Sequence, residues 1–567
     1  MSKLISSTAQ RRIARSSISE RNATAFLLGL LVLVLFVIIA LPLWSLLSKS
    51  FQNNAGDFVG LSNFSRYFAT PSLVRALFNS LWVACITTSV VVPLAFIYAY
   101  ALTRSCMPFK SLFMALALLP IFAPSLLSAI SLIYLFGNQG FFKSFMGGTS
   151  IYGVLGIVMA QVVYCFPHAV MIIATALRLA DGRLYEVASA LRTSPARVFF
   201  TVTLPGVRYG LISAAFVVFT LVITDFGIPK VIGGQFNVLA TDAYKQIVGQ
   251  QNFEMGAVVG LVLLVPAVLA FTVDRHIQKR QVAMLSARAV PYQAKPLYVR
   301  DGALFVFCMV VGGVLLGMLG VAVWASFITY WPYNLTLTTA NYAFENFDPG
   351  GWQPYFTSLK LAALVALIGT ALVFAGAYLV EKTKGFPALR GVVHFLAMLP
   401  MAVPGLVLGL GYVFFINAPW NPLNIFYGTL LLLVVNTIAH FYTVAHITAT
   451  TALKQIDNEF EAVSASLKVP FWITFWRVTV PICLPAILDI AVYMFVNALT
   501  TVSAVVFLYG PSTKIAAIAI VHMDEAGAMA AAAAMARCIV LTAIAVKLFH
   551  VVLEGLVFDR LQAWRKR

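Results

Sequence analysis

Charge is scarce in this sequence. Asp, Glu, Lys and Arg make up 10% of its 567 residues, while hydrophobic residues make up 61%. Soluble domains carry about 25% charged residues, so an ordinary water-soluble fold is excluded. Acid is scarcer than base: 20 Asp+Glu stand against 38 Lys+Arg, a net charge of +18. Such an excess could suit a nucleic-acid binder. Here the basic residues sit in short polar pieces between apolar runs, the distribution of inner loops in a polytopic membrane protein, and no nucleic-acid partner is expected.

Reactive groupings are also missing. The six cysteines (Cys85, Cys106, Cys165, Cys308, Cys483, Cys538) are scattered and form no CxxC pair, which excludes a disulfide framework and a Cys-based metal site. The seven histidines are dispersed, there is no HExxH, and His168 and His440 read as packing residues near the ends of apolar runs. No GxxxxGK[ST] phosphate loop occurs, so the chain is not expected to hydrolyse ATP itself. The sequence therefore offers no catalytic residue, no metal site and no cofactor of its own.

What is there is a set of apolar runs of spanning length, about 20 residues each. They fall at 25–47, 76–103, 112–136, 153–177, 211–232 and 256–273, and again at 303–328, 359–380, 392–415, 428–453, 484–506 and 529–553. The first run follows Lys3, Arg11, Arg12, Arg15 and Arg21 and is longer than the roughly 7–15 residues of a signal-peptide core, so it is read as a retained span. Two sets of six spans give parallel copies, because an even number returns the chain to its starting side. The expected organisation is a basic N-terminus (1–24), a first six-helix unit (25–273), a linker (274–302), a second six-helix unit (303–553) and a basic C-terminus (554–567). Lys and Arg concentrate in the N-terminus, the linker (Arg275, Arg288, Lys295, Arg300) and the tail (Arg565, Lys566, Arg567), which puts both termini inside. The long outer loop 329–357 has no Lys or Arg and carries Trp331, Tyr333 and Trp352 as interfacial anchors.

One polar stretch is repeated. Residues 176–205 read ALRLADGRLYEVASALRTSPARVFFTVTLP, and residues 452–481 read ALKQIDNEFEAVSASLKVPFWITFWRVTVP, a constant 276 positions later. Other pieces recur. FNSLWVA at 78–84 is echoed by FTSLKLA at 356–362, and Leu119-Pro120 with Pro124 by Leu399-Pro400 with Pro404. A proline inside a span frees a carbonyl and kinks the helix, which is tolerated beside partner helices or a water-filled path. Recurrence of Pro120, Pro124, Pro400 and Pro404 points to the third and ninth spans as neighbours of a pathway.

Within the first copy Asp181 is placed to cap a short helix. Leu184, Val187, Ala188 and Leu191 then fall on one face, as do Phe460, Val463, Ser464 and Leu467 in the second copy. Ser194-Pro195 suits the start of another short helix, with Pro470 doing similar work one register earlier. A single such helix would be read as lying on its own bundle or in lipid headgroups. Two copies favour a pair of knobs that fit grooves on a symmetric pair of partner subunits.

These residues resemble the EAA loop of binding-protein-dependent ABC importers, whose membrane subunits carry Glu-Ala-Ala, then a glycine, then a Leu-Pro exit. Counted back from Pro205, Glu186, Ala188 and Leu191 fit the pattern and Arg192 stands at the glycine; Pro195 lies between. Counted back from Pro481, Ala462 stands at the glutamate, Leu467 matches Leu191, Lys468 stands at the glycine, and Glu461 lies one residue early. The resemblance implies an all-α, type I importer permease of about twelve spans in two parallel repeats. It also implies docking helices that meet a dimeric ATPase carrying ATP and Mg, a periplasmic solute-binding protein, surrounding lipid, and a bacterial inner-membrane location. Fused permeases of this kind resemble those for ferric iron, thiamine and 2-aminoethylphosphonate. The segment 224–253 looks most like the phosphonate group, while Asp225-Phe226-Gly227 is shared with the iron group. An ion-coupled secondary transporter and a non-transporting scaffold are the rival readings.

Ionisable residues in or near spans mark a candidate polar pathway: Asp225 foremost, then Lys360, Asp489, Arg537 and Lys547. Because Ala462 replaces Glu186 in the second copy, the first docking surface is expected to be the less tolerant of charge reversal.

Overall fold

Among the described residues, nine helices are long and apolar enough to cross a membrane, and three sharply bent helix pairs raise the number to twelve if each counts as one span. The computed structural model describes residues 20–284, 290, 292–457 and 459–561. Lys3, Arg11, Arg12, Arg15, Arg288, Arg565, Lys566 and Arg567 lie outside the described residues.

The straight helices of the first half are Glu20–Ser50, Pro71–Arg104, Val154–Leu179, Pro195–Thr224 and Phe253–Ile277. Those of the second half are Tyr298–Ala325, Gln353–Glu381, Leu430–Lys454 and Met529–Leu556. Strand is confined, among the described residues, to a two-stranded antiparallel hairpin in the long loop, Ile328–Tyr330 with Asn334–Leu337. Trp331 packs there at 4.4 Å from the Phe141 ring and 5.6 Å from Trp324, an inter-half aromatic cap.

The structure differs from the expected spans in three ways. The third and ninth spans are broken, Lys110–Phe122 bending by 100° into Ser125–Phe136 and Pro387–Ala402 by 114° into Gly405–Ile416. Proline forces the residue before it out of helical backbone. Ala123 and Val403 are accordingly extended, and Pro124 and Pro404 take nearly the same conformation (ψ 143° and 141°) as N-caps of the second segments. Pro120 lies in the 3-10 turn before the first break and Pro400 in the last turn before the second. The fifth span ends at Thr224, not 232, and the eleventh at Thr500, not 506, because Asp225 and Thr501 are extended at the two C-caps. The sixth helix runs on to Met284, so Asp274 and Arg275, expected to open the linker, are helical and Asp274 is buried in the bundle.

The halves interlock through their first helices. The end of the first helix, Leu41–Ser50, packs on Gly405–Ile416 of the second half, where the Tyr412 hydroxyl donates to the Ile38 carbonyl at 2.6 Å. Tyr298–Ala325 packs in turn on Lys110–Leu118 and Ser125–Phe136 of the first half, with Phe305 edge-on to Phe113 of the former at 5.6 Å. Association in lipid depends on close packing of small residues, since apolar surface gains nothing by leaving lipid for protein. Gly411 shows the requirement: a Cβ there would lie 2.6 Å from the Pro42 carbonyl oxygen.

Repetition extends to single hydrogen bonds. The buried Asn63 amide donates to the Ser50 and Gln52 carbonyls at 3.0 and 2.8 Å, and Asn341 to those of Ser326 and Ile328 at 3.1 and 2.7 Å. The serines of the recurring FNS and FTS pieces have one job: Ser80 Oγ accepts from the Leu239 N–H and Ser358 Oγ from the Ala516 N–H, both at 2.8 Å.

Candidate docking loops and pathway

Both polar repeats form a short helix, Arg183–Ala190 and Glu459–Ser466. Eight residues are too few to be helical alone in water, so each helix depends on its ends and its inner face. At the start, Asp181 Oδ1 accepts from the Arg183 N–H and Asp457 Oδ1 from the Glu459 N–H, each at 3.0 Å. The carboxylate thus caps as expected, one residue earlier than the formal N-cap Gly182.

At the end lie the two positions where the resemblance called for glycine. Arg192 and Lys468 are both left-handed, with φ 49° and 57°. The following N–H groups reach back to close the helix, Thr193 to the Ala188 carbonyl at 3.0 Å and Val469 to that of Ser464 at 2.9 Å. This is the reversal that glycine makes without strain; here basic residues adopt it. Ser194 then caps Pro195–Val198, its Oγ accepting from the Arg197 N–H at 3.4 Å with Pro195 in the first turn, and Pro470 is the N-cap of Phe471–Thr474. Pro205 and Pro481 open the helical stretches Leu204–Thr224 and Val480–Ile482 that lead into the spans.

The outer faces match. Leu184, Val187 and Leu191 are 54, 56 and 73% exposed, and their counterparts Phe460, Val463 and Leu467 are 45, 56 and 68% exposed. Glu186, Arg192, Ala462 and Lys468 are exposed beside them. Two equivalent apolar ridges with basic flanks are therefore exposed, and the six spans between them return the chain to the same side, the loop face.

Two of the expected docking residues point elsewhere. Ala188 is 6% exposed and packs inward, because it shares the helix face that seats on the bundle. Glu461 also turns inward: it occupies the place of Tyr185, and its carboxylate stands 3.5 Å from Lys382 Nζ. Sequence reading missed the two braces this reveals. Arg104, at the inner end of Pro71–Arg104, is buried, donates to the Leu177 carbonyl at 2.6 Å, and lies over the Tyr185 and Tyr292 rings at 5.0 and 4.4 Å. Lys382, just past Gln353–Glu381, donates to the Ile456 carbonyl at 2.9 Å. Their signal was present as a cation at the end of the second span of each half. The linker joins the first brace, the Gly182 N–H donating to the Val290 carbonyl at 2.8 Å.

Away from the loop face, the broken spans meet the segments that follow the fifth and eleventh spans. Ser125 Oγ donates to Asp225 Oδ1 at 3.0 Å, Gln161 Nε2 to Oδ2 at 3.0 Å, and the Ile228 N–H to Oδ2 at 2.9 Å. Both oxygens of Asp225 are thus engaged in holding the break of the third span to the segment beyond the fifth. In the second half, Gly405 occupies the place of Ser125, where a Cβ would come within 2.9 Å of Ser503 Oγ and 3.0 Å of His440 Nε2. Pro124 and Pro404 thus place equivalent tips against equivalent segments.

The two segments also meet each other. Lys230 pairs with Glu525 of the other half and lies 4.8 Å from the centre of the Tyr244 ring, which stacks on Phe507 at 6.2 Å. This ionic and aromatic layer joins the halves on the face opposite the docking loops. Of the other ionisable candidates, Arg537 lies over Phe327 at 4.4 Å and bonds to the Tyr342 hydroxyl, Asp489 faces His550 at 3.5 Å, and Lys547 contacts His550 at 3.1 Å. Lys360 lines a surface cleft.

Comparison with known proteins gives a consistent result. The family described as binding-protein-dependent transport system inner membrane component matches twice, over residues 91–282 and 373–558. The ferric transport system permease protein FbpB of Actinobacillus pleuropneumoniae is 26% identical over 96% of this chain and 80% of its own length. The Fe(3+)-transport system permease protein FbpB 2 of Haemophilus influenzae is 23% identical over 91% of this chain and 96% of its own. The spermidine/putrescine transport system permease protein PotC homolog of Mycoplasma genitalium is 27% identical over 39% of this chain and 75% of its own.

Proposed function

The chain belongs to the family of binding-protein-dependent transport system inner membrane components, with two copies of the unit in one chain, and from that premise we propose that it is the permease of an ATP-driven importer of ferric iron. The pair of matched, exposed ridges carries the coupling part of this reading. Two equivalent knobs on one face suit a dimeric ATPase, with ATP and Mg held there and not on this chain. When the ATPase closes, knobs that bind its closed and open arrangements unequally shift the permease between its own conformations. The loop face and both termini lie in the cytoplasm, by the distribution of Lys and Arg, and a periplasmic binding protein delivers solute to the opposite face.

Iron replaces 2-aminoethylphosphonate as the first choice of solute. Likeness to ferric permeases runs through nearly the whole chain, whereas the phosphonate reading rested on residues 224–253 alone. In this scheme Asp225 shapes the pathway by fixing the broken third span, and Lys230 and Glu525 form its closure on the far face.

The test is uptake in proteoliposomes containing the permease, its ATPase and its binding protein. ATP-dependent accumulation of radioactive ferric iron is expected, and Glu186→Arg together with Arg192→Glu should leave ATP hydrolysis running without uptake. Accumulation of 2-aminoethylphosphonate but not iron would overturn the solute. Uptake driven by an ion gradient without ATP would favour the secondary transporter instead.

A further inference from the structure

The helix Gln353–Glu381 carries its own measure of the membrane. No residue from 361 to 380 is charged, and charge resumes at Lys360 on one side and Glu381 on the other. At 1.5 Å per residue the two stand about 31 Å apart along the axis, against a hydrocarbon core of about 30 Å. Glu381 lies at the loop face, where it pairs with Lys454 at 3.9 Å. Lys360 is therefore at headgroup depth in the opposite leaflet.

Lys360 is exposed and has no ion pair or hydrogen bond among the described residues. It opens onto a cleft of about 570 Å³ that also takes in Gln353, Phe356, Thr357, Ser512 and Thr513. Gln353, Phe356, Thr357 and Lys360 fall at i, i+3, i+4 and i+7, one face of the helix. Its floor is the loop after the eleventh span, fastened by Thr513 Oγ1, which donates to the Gly428 carbonyl at 3.0 Å. Further from the bilayer a second cleft of about 230 Å³ continues it past Ser512 to Lys514, whose charge is met by Asp348 at 2.8 Å. The first half has no such cation: Trp82 stands in the place of Lys360 and is 61% exposed.

We propose that this cleft binds the headgroup of an anionic phospholipid in the leaflet opposite the docking loops. Lys360 Nζ meets the phosphodiester, Ser512 and Gln353 donate to headgroup oxygens, and Leu364 and Leu367, exposed on the same helix face one and two turns toward the bilayer centre, lie along the start of an acyl chain. The site combines an unpaired cation, polar donors and an apolar wall at the depth where a lipid presents phosphate above hydrocarbon. It belongs to the second half only and is independent of which solute is transported.

Native mass spectrometry of the full chain in detergent tests it, by titration with phosphatidylglycerol or with phosphatidylcholine of the same acyl chains. One preferred phosphatidylglycerol per chain is expected, weakened about fivefold by Lys360→Leu. Lys360→Arg should retain it, Lys547→Leu should leave it unchanged, and phosphatidylcholine affinity should not respond to Lys360→Leu. Unchanged phosphatidylglycerol affinity in Lys360→Leu would overturn the proposal, and so would equal loss of both lipids. Thermal unfolding of each variant at the wild-type temperature confirms that the comparison is between folded proteins.

Discussion

Lys382 and Glu461 face each other at 3.5 Å beneath the short helix Glu459–Ser466, with side chains only 2% and 15% exposed. Their counterparts beneath Arg183–Ala190 are Arg104 and Tyr185, a guanidinium over a ring at 5.0 Å. The two halves thus brace the same helix from the same place by different chemistry, an ion pair in one and a cation–π contact in the other.

The first prediction concerns charge reversal, and it revises the expectation that the first copy is the less tolerant. Glu461→Arg sets a second cation against buried Lys382. Loss of one partner of a buried pair costs about 3–5 kcal/mol, and the low end applies because Glu461 is partly exposed. A lowered melting temperature is expected. Glu186→Arg alters only an exposed contact, so its melting temperature should be unchanged while coupling of ATP hydrolysis to uptake fails. Equal melting temperatures for the two variants would refute the distinction.

A second prediction follows from the left-handed residues. Arg192 and Lys468 have φ of 49° and 57°, a conformation that costs a residue with a Cβ about 1 kcal/mol more than glycine. Arg192→Gly should therefore slow hydrogen exchange at the Thr193 amide, which bonds back to Ala188, while Arg192→Val should speed it. If glycine speeds exchange there, the turn is held by the arginine side chain and not by its backbone.

Much of this is legible in the sequence, and what is not has physical causes. The repeated loop, its stripe and its exit prolines could be read because periodicity and capping are local. The inward turn of Glu461 and Ala188 is not legible there, because the stripe's azimuth relative to the bundle is a tertiary property. The same holds for Arg104 and Lys382, whose partners lie 73 and 74 residues away in the chain. The broken spans show a different limit. Pro124 and Pro404 announced a kink, but bends of 100° and 114° also need the segments after the fifth and eleventh spans to receive the free ends.

The third prediction addresses those segments. Ser80 and Ser358 each accept one backbone N–H at 2.8 Å from the segment beyond the fifth or eleventh span of their own half. Alanine at either place leaves a buried N–H without a partner, at about 1–3 kcal/mol. Both single variants should lower the melting temperature by similar amounts, since the two bonds are equivalent. Ser→Cys should fall between serine and alanine. A large effect at one position only would show that the two halves do not use this tie equally.

The last prediction concerns closure on the far face. Lys230 and Glu525 are 21% and 45% exposed, so solvent screens the pair and its contribution to global stability is small. Its leverage is conformational. The pair joins the two halves, and even about 1 kcal/mol shifts an open–closed equilibrium about fivefold. Phe507 stacks in the same layer against Tyr244, which makes Phe507→Cys a reporter of opening on a background with the exposed Cys85 and Cys106 replaced by serine. Reaction with a water-soluble thiol reagent should quicken about fivefold when Glu525→Gln is added. Lys230→Met should quicken it further, because that change also removes the cation from the Tyr244 ring. Raised salt should quicken the parent protein and leave the Glu525→Gln variant nearly unaffected. A rate insensitive to both substitutions would make the ion pair a bystander to opening.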